Sequence, residues 1–145
     1  MRRIARTIGF SIVAMMAMVW SHQALAQQVP NLVGTWKASA KAVSFGTNPY
    51  RKQEGTGPYF SKEILEFTFK ITDQQDARFA GTLSAGKRTE TLIGALRPPN
   101  FSEGIFIDDD GHYLLTVRDA STIDLCYYHI NPKSKVVACY TLTKQ

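Results

Sequence analysis

Four side chains in the C-terminal half of the chain are the strongest candidates for binding chemistry. Tyr127, His129 and Tyr140 fall on one face of the last two predicted strands, and Tyr113 falls on the matching face of the strand before them. A tyrosine cluster with one imidazole could orient a small apolar ligand by hydrogen bonds. The same residues could equally form a packed core whose hydroxyl groups are satisfied at one end of the fold. The sequence leaves both interpretations open.

Three other patterns resemble known binding motifs, but each lacks an essential residue. Residues 81–87 (GTLSAGK) spell most of a phosphate-binding loop, but Arg88 replaces the serine or threonine that would reach magnesium, and a strand is predicted to follow. Residues 108–111 (DDDG) lack the ligand spacing of an EF-hand and predict a hairpin turn. A zinc site would need a third protein ligand beside His112 and His129. We therefore expect no metal and no cofactor.

No catalytic arrangement can be derived from these spacings. Nucleophile–base pairs and close carboxylate pairs are defined by distances in the fold, which positions along the chain do not give. We therefore name no catalytic residue. Whether the protein is an enzyme stays open, and the sequence favours a non-enzymatic protein.

The two cysteines of the chain, Cys126 and Cys139, predict one structural disulfide. They lack the Cys-x-x-Cys spacing of a redox pair. If the turn between them centres between Pro132 and Lys133, opposing residues have numbers that sum to 265, which places the cysteines directly across from each other on the outer face. The same register turns the more apolar face inward, with Ile123, Leu125, Tyr127, His129, Val136, Ala138, Tyr140 and Leu142.

The chain beyond residue 26 predicts an all-β fold without helices. Short runs rich in β-formers alternate with turn residues, at residues 35–45, 62–72, 78–84, 89–96, 104–108, 112–118, 122–130 and 136–143. In the second run, Leu65, Phe67, Phe69 and Ile71 alternate with mostly polar residues, so one face packs on a core. Short connections imply antiparallel neighbours. We predict a single up-and-down barrel of eight antiparallel strands, with one disulfide in the last hairpin.

Residues 1–26 predict a cleaved signal peptide. Three arginines precede an apolar stretch over residues 8–20, and residues 24–26 (ALA) have the small-x-small pattern that a signal peptidase reads. The apolar stretch is shorter than the roughly 20 residues that span a bilayer. We predict that residues 27–145 form one β-barrel domain, periplasmic or secreted, without a membrane span.

The charge of this predicted mature chain argues against a nucleic-acid partner. Loss of Arg2, Arg3 and Arg6 would lower the formal net charge from +5 to +2. The remaining basic residues are scattered among acidic ones, whereas binding to a phosphate backbone requires a concentrated basic stripe.

Residues 34–36 (GTW), at the start of the first predicted strand, resemble the Gly-x-Trp opening of the lipocalins and the avidins. This resemblance to the calycin-like group implies an eight-stranded meander barrel in which the tryptophan plugs one end of the core. The length of the predicted mature chain is similar to that of the avidins. The biotin-contacting polar residues of avidins are replaced here by Ala38 and Ala42, so biotin binding is not expected. The chain also resembles small uncharacterised exported bacterial proteins that end in a Cys-Tyr … Ala-Cys hairpin.

The longest predicted loop spans residues 46–61 and contains Tyr50, Arg51, Tyr59 and Phe60. Loops of this length in compact domains are often functional. We expect it to cover the barrel opening or to contact a partner protein.

Two functions are consistent with these features. The first is a non-enzymatic exported binding protein that holds a small, largely apolar ligand inside the barrel. Small side chains on the same strand face as Trp36, at Ala38, Ala40 and Ala42, would leave room for it unless bulky residues such as Phe67, Phe69 and Phe79 fill the interior. The predicted ligand contacts are Trp36, Tyr113, Tyr127, His129 and Tyr140. The alternative is a secreted protein-interaction module, such as a hydrolase inhibitor, that acts through the 46–61 loop.

Overall fold

The structure is a computed structural model that describes residues 28–46 and 57–145. These residues form ten strands: β1 (Gly34–Ala40), β2 (Val43–Gly46), β3 (Tyr59–Phe60), β4 (Leu65–Gln75), β5 (Arg78–Ala85), β6 (Arg88–Leu96), β7 (Glu103–Ile107), β8 (His112–Val117), β9 (Thr122–Ile130) and β10 (Ser134–Lys144). Within this part of the chain, no helix is long and apolar enough to cross a membrane. The predicted signal peptide lies outside the described residues, as do Tyr50 and Arg51.

The strands form a closed antiparallel barrel. From β4 to β10, each strand pairs with the next one along the chain, and β1 pairs with both β4 and β10. The closing pairs are Trp36 with Lys144 and Lys37 with Thr143. The predicted all-β, up-and-down barrel of eight strands is therefore confirmed.

The first predicted strand, residues 35–45, is divided into β1 and β2 by a break at Lys41 and Ala42. Ser61 satisfies the backbone of Ala42, because its Oγ accepts from the Ala42 N–H at 2.8 Å and its own N–H donates to the Ala42 carbonyl at 2.9 Å. Beyond the break, β2 pairs with the start of β10 and with β3. β1 and β2 together therefore take the place of one of the eight strands of the barrel.

The last hairpin has the predicted register. Its pairs run from Lys135 with Ile130 to Thr143 with Thr122, and Cys126 lies opposite Cys139. The two cysteines form a disulfide, a bond typical of oxidising environments. In the four-residue turn, the Asn131 side chain accepts hydrogen bonds from the N–H groups of Lys133 and Ser134, both at 2.8 Å. This asparagine holds the turn and thereby the register.

The core fills the barrel from one end to its middle. Trp36 is fully buried, and its indole N–H donates to the carbonyl of Leu32 at 2.9 Å. In the middle, the ring of Phe106 meets those of Phe79 and Tyr113 edge-on, at centroid distances of 4.8 and 6.2 Å. The tryptophan therefore occupies the filled end of the barrel, which is consistent with a calycin-like fold.

Two sequence patterns that resembled binding motifs form hairpin turns, which confirms the turn predicted for residues 108–111. Residues 81–87 cover the end of β5 and the two-residue turn to β6, in which Gly86 adopts a positive φ of 59°. Glycine adopts this backbone conformation without steric cost. Residues 108–111 form the turn between β7 and β8.

Candidate functional site

A small cavity lies inside the barrel, toward the end of β1 that is remote from Trp36. Its volume is about 50 Å³. The rings of Tyr113, Tyr127 and Tyr140 contribute to its lining, and the remaining lining residues are mostly small or apolar: Ala40, Ala42, Ser44, Ser61, Leu65, Phe67, Val136 and Ala138. We call this end of the barrel the mouth.

Small side chains leave the space, and two stacked rings form one of its walls. Ala40 and Ala138 project inward from β1 and β10, where larger residues would fill the interior. The rings of Phe67 and Tyr140 stack at a centroid distance of 5.4 Å and an interplanar angle of 3°. Both interpretations of the interior hold, in different places: bulky residues fill the middle of the barrel, and a cavity remains at the mouth.

A chain of hydrogen bonds runs beside this cavity through Asp110, Tyr127, His129 and Ser134. The Tyr127 hydroxyl donates to a carboxylate oxygen of Asp110 at 2.9 Å, since an ionised carboxylate can only accept. The Tyr127 oxygen therefore accepts from Nδ1–H of His129 at 3.1 Å. The other ring nitrogen of His129, Nε2, is hydrogen-bonded to the Ser134 hydroxyl at 2.6 Å. His129 and Ser134 are buried.

This chain contains the residue types of a serine–histidine–acid relay but lacks two features of a nucleophilic site. The N–H groups of Lys133 and Ser134 already donate to Asn131, so they do not form an oxyanion hole. Neither Ser134 nor His129 lines the cavity. The chain instead connects the β7–β8 turn to the β9–β10 turn, which fixes the tyrosine at the mouth.

Tyr113 is held at the mouth by a second acidic side chain of the same turn. Its hydroxyl donates to Asp108 at 2.6 Å. Burial raises the pKa of Tyr113 well above its usual range, and the nearby negative charge of Asp108 adds to this effect. The hydroxyl therefore stays protonated and remains a hydrogen-bond donor.

Three carboxylates and one guanidinium meet behind these tyrosines. Glu90, Asp108 and Asp110 each place a carboxylate oxygen within 4.8 Å of the others. Such oxygens could ligate a hard cation. However, Arg88 contacts both Glu90 and Asp110, so its guanidinium already supplies positive charge to this cluster. The absence of a metal and of a cofactor stays a prediction.

The turn from Asp108 to Gly111 contributes to the site, although its sequence predicted only a hairpin turn. A β-carbon at Gly111 would lie 2.1 Å from the Tyr127 ring, so only glycine lets that ring pack against the turn. The β8–β9 register, in which His112 opposes Tyr128, indicates that this turn lies near the end of β9. Extending that register by two pairs places Asp110 opposite Ile130, at the end of β9.

The structure brings four of the five predicted ligand-binding residues together. Tyr113, Tyr127 and Tyr140 line the cavity, and His129 lies directly behind Tyr127. Trp36 is separate, because it lies four residues before Ala40 on the extended strand β1, a distance of about 13 Å.

Of the predicted loop contacts, two fall within the described residues. Tyr59 and Phe60 form β3, which pairs with β2, and Phe60 is 73% exposed. Both ends of the 46–61 segment are fixed near the mouth: Gly46 pairs with Ser134, and Ser61 bonds to Ala42.

Replacing Tyr127 with phenylalanine tests the hydrogen-bonded chain. The variant keeps the ring but leaves Asp110 and His129 without the hydroxyl between them. We expect the free energy of unfolding to fall by about 1–3 kcal/mol, measured by urea denaturation. Tyr128→Phe is the matched control, because the neighbouring ring lies on the outer face and is 40% exposed. Equal losses in the two variants would contradict a specific role for Tyr127.

No known protein family matches this chain, and no curated protein and no solved structure matches it either. The fold and the site therefore define its class: a closed eight-stranded antiparallel barrel with a filled end, a disulfide in its last hairpin and a small cavity at its mouth. Such a barrel is compatible with a binding protein.

Proposed function

We propose that this protein is an exported, non-enzymatic binding protein that takes the end of an apolar group into the mouth of its barrel. The observation that carries the proposal is the cavity among Tyr113, Tyr127 and Tyr140, which lies inside the barrel beside its filled middle. Its walls are largely alanine, leucine, valine and aromatic rings, and ligand sites are typically apolar with a few fixed polar groups.

The size of the cavity limits what can enter. About 50 Å³ is roughly a third of the volume of a cavity that binds benzene, about 150 Å³. A short alkyl end or a branched methyl group fits this space, whereas a whole drug-sized ligand needs at least about 300 Å³. The remainder of the ligand stays outside the mouth. This narrows the predicted ligand to a molecule that inserts only its apolar tip.

The tyrosine rings supply preorganised walls for such a tip. The hydrogen-bonded turn holds Tyr113 and Tyr127 in place, so their rings need little reordering when a ligand binds. A preorganised site loses less conformational entropy on binding. Ser44 and Ser61, which carry hydroxyl groups, also line the cavity.

A series of straight-chain alcohols tests this proposal, with binding followed by chemical-shift changes in ¹H–¹⁵N NMR spectra. We expect shifts centred on Ala40, Ala138 and Tyr140. The affinity should rise about fourfold per methylene, since each buried methylene contributes about 0.8 kcal/mol, until the cavity is full.

Ala138→Leu would fill the cavity and should weaken alcohol binding at least tenfold, equivalent to about 1.4 kcal/mol. Val137→Leu is the matched control, because the adjacent side chain faces outward and is 45% exposed. Alcohol binding that is equally strong in Ala138→Leu, or absent from the unmodified protein, would refute the proposed function.

A second candidate function is a protein-interaction module such as a hydrolase inhibitor. The exposed rings of Phe60 and Phe45, at 73% and 46%, favour it because they lie beside the mouth on β3 and β2. Exposed aromatic residues are common anchors of protein interfaces. Under this alternative, Phe60→Ala would abolish inhibition of the target hydrolase, and Ala138→Leu would leave it unchanged.

A further inference from the structure

The outer surface of the barrel carries a largely apolar stripe that the cavity does not explain. Six large apolar side chains on β6 to β10 each expose between 36% and 54% of their surface: Ile93, Ile105, Ile107, Leu114, Tyr128 and Val137. We call this surface the outer stripe.

Strand register places these residues in two adjacent rows. In the first row, Ile93 opposes Ile107, Ile107 opposes His112, His112 opposes Tyr128, and Tyr128 opposes Val137. The second row continues from Ile105 through Leu114 to the two cysteines of the disulfide. Directly opposed side chains on one sheet face lie about 5 Å apart. The stripe is therefore one connected surface.

Neither row contains Asp, Glu, Lys or Arg, but the next row does. There, Glu103 opposes Thr116, Thr116 opposes Asp124, and Asp124 opposes Thr141. Glu103 and Asp124 form ion pairs with Arg97 and Arg118. An uncharged stripe with a polar border has the arrangement of a protein interface, in which charge is depleted at the centre.

We propose that the outer stripe is the interface between two copies of this chain, related by a two-fold axis. Such an interface places the same surface of each subunit against the other. A stripe without Asp, Glu, Lys or Arg is complementary to itself, because none of these charged side chains opposes a like charge across the axis.

The apolar area of the outer stripe is close to that of a standard protein–protein interface. Taking about 190 Å² for a fully exposed large apolar residue, the six side chains present about 500 Å². A standard interface buries about 800 Å² per partner, of which about 60% is apolar, so the two values agree. A bilayer suits the stripe less well, since membrane-spanning barrels present an apolar band about 25 Å tall and the charged residues Glu103 and Asp124 lie in the row directly beside this stripe.

Sedimentation velocity of the purified protein, from micromolar to near-millimolar concentrations, tests the proposal by measuring its oligomeric state. Mass spectrometry identifies the N-terminal residue of the protein used. We expect a dimer whose dissociation constant rises at least about a hundredfold in Leu114→Lys, because the interface would then bury two unpaired ammonium groups. Ile105 lies directly opposite Leu114, so Ile105→Lys should raise the dissociation constant by the same factor. This second variant replaces Leu114→Lys in the test if Leu114→Lys does not fold. Circular dichroism verifies folding.

Ile64→Lys is the matched control, because Ile64 is 59% exposed and lies outside the stripe. This variant should dimerise like the unmodified protein. Monomers at every concentration would overturn the proposal, whether or not they bind lipid vesicles or another protein. Dimers that survive both stripe variants, or that Ile64→Lys disrupts equally, would also overturn it. Ala138→Leu, which alters only the interior, should leave the dimer intact, so this test is independent of the cavity.

Discussion

Replacing Trp36 with alanine is expected to lower the free energy of unfolding by about 3–5 kcal/mol. The ring is fully buried at the filled end of the barrel, so its loss creates a cavity among well-packed neighbours. The variant also removes the indole N–H that donates to the carbonyl of Leu32. Both effects act in the same direction. Urea denaturation followed by far-ultraviolet circular dichroism measures the change without relying on the fluorescence of the deleted tryptophan.

Two companion variants separate the contributions of Trp36. Trp36→Phe keeps an aromatic ring but loses the hydrogen bond to Leu32, and we expect a smaller loss of about 1–3 kcal/mol. Lys37→Ala changes the next residue, which faces outward, and should stay within about 0.5 kcal/mol of the unmodified protein. A loss below 1 kcal/mol in Trp36→Ala would contradict the assignment of this residue to the sealed end of the core.

The second large effect is expected from the disulfide. The double variant Cys126→Ala and Cys139→Ala should lower the free energy of unfolding by about 3 kcal/mol, because the bond closes a loop of about 14 residues and restricts the unfolded chain. Neither cysteine belongs to the core, so their removal opens no internal cavity. For a domain of this size, the melting temperature should fall by about 10 °C.

Reduction provides the control for the disulfide. Dithiothreitol should lower the stability of the unmodified protein to that of the double variant and leave the double variant unchanged. A double variant as stable as the oxidised protein would show that the bond contributes nothing beyond the strand pairing around it.

Local patterns in the sequence were sufficient to predict the barrel and its last hairpin. Alternating residues such as Leu65, Phe67, Phe69 and Ile71 predict the buried face of a strand because successive side chains point to opposite sides. The register of the last hairpin could be predicted from its turn, because in a short hairpin the turn determines which residues oppose each other. The disulfide and the inward position of Tyr127 and His129 followed from that register.

The sequence by itself determined the fold class, the disulfide and three of the tyrosines at the mouth. The tertiary structure alone decided how the interior is divided: Trp36 and Phe106 fill one part of the barrel, and Ala40 and Ala138 leave a cavity in another. It also brought Asp110 onto Tyr127, and it aligned Ile93 with Val137 across five strands. The physical reason is that strand alternation and turn geometry act between residues close in sequence. Cavity volume, hydrogen-bonded chains and surface stripes depend on barrel closure, which sets distances between strands far apart in the chain.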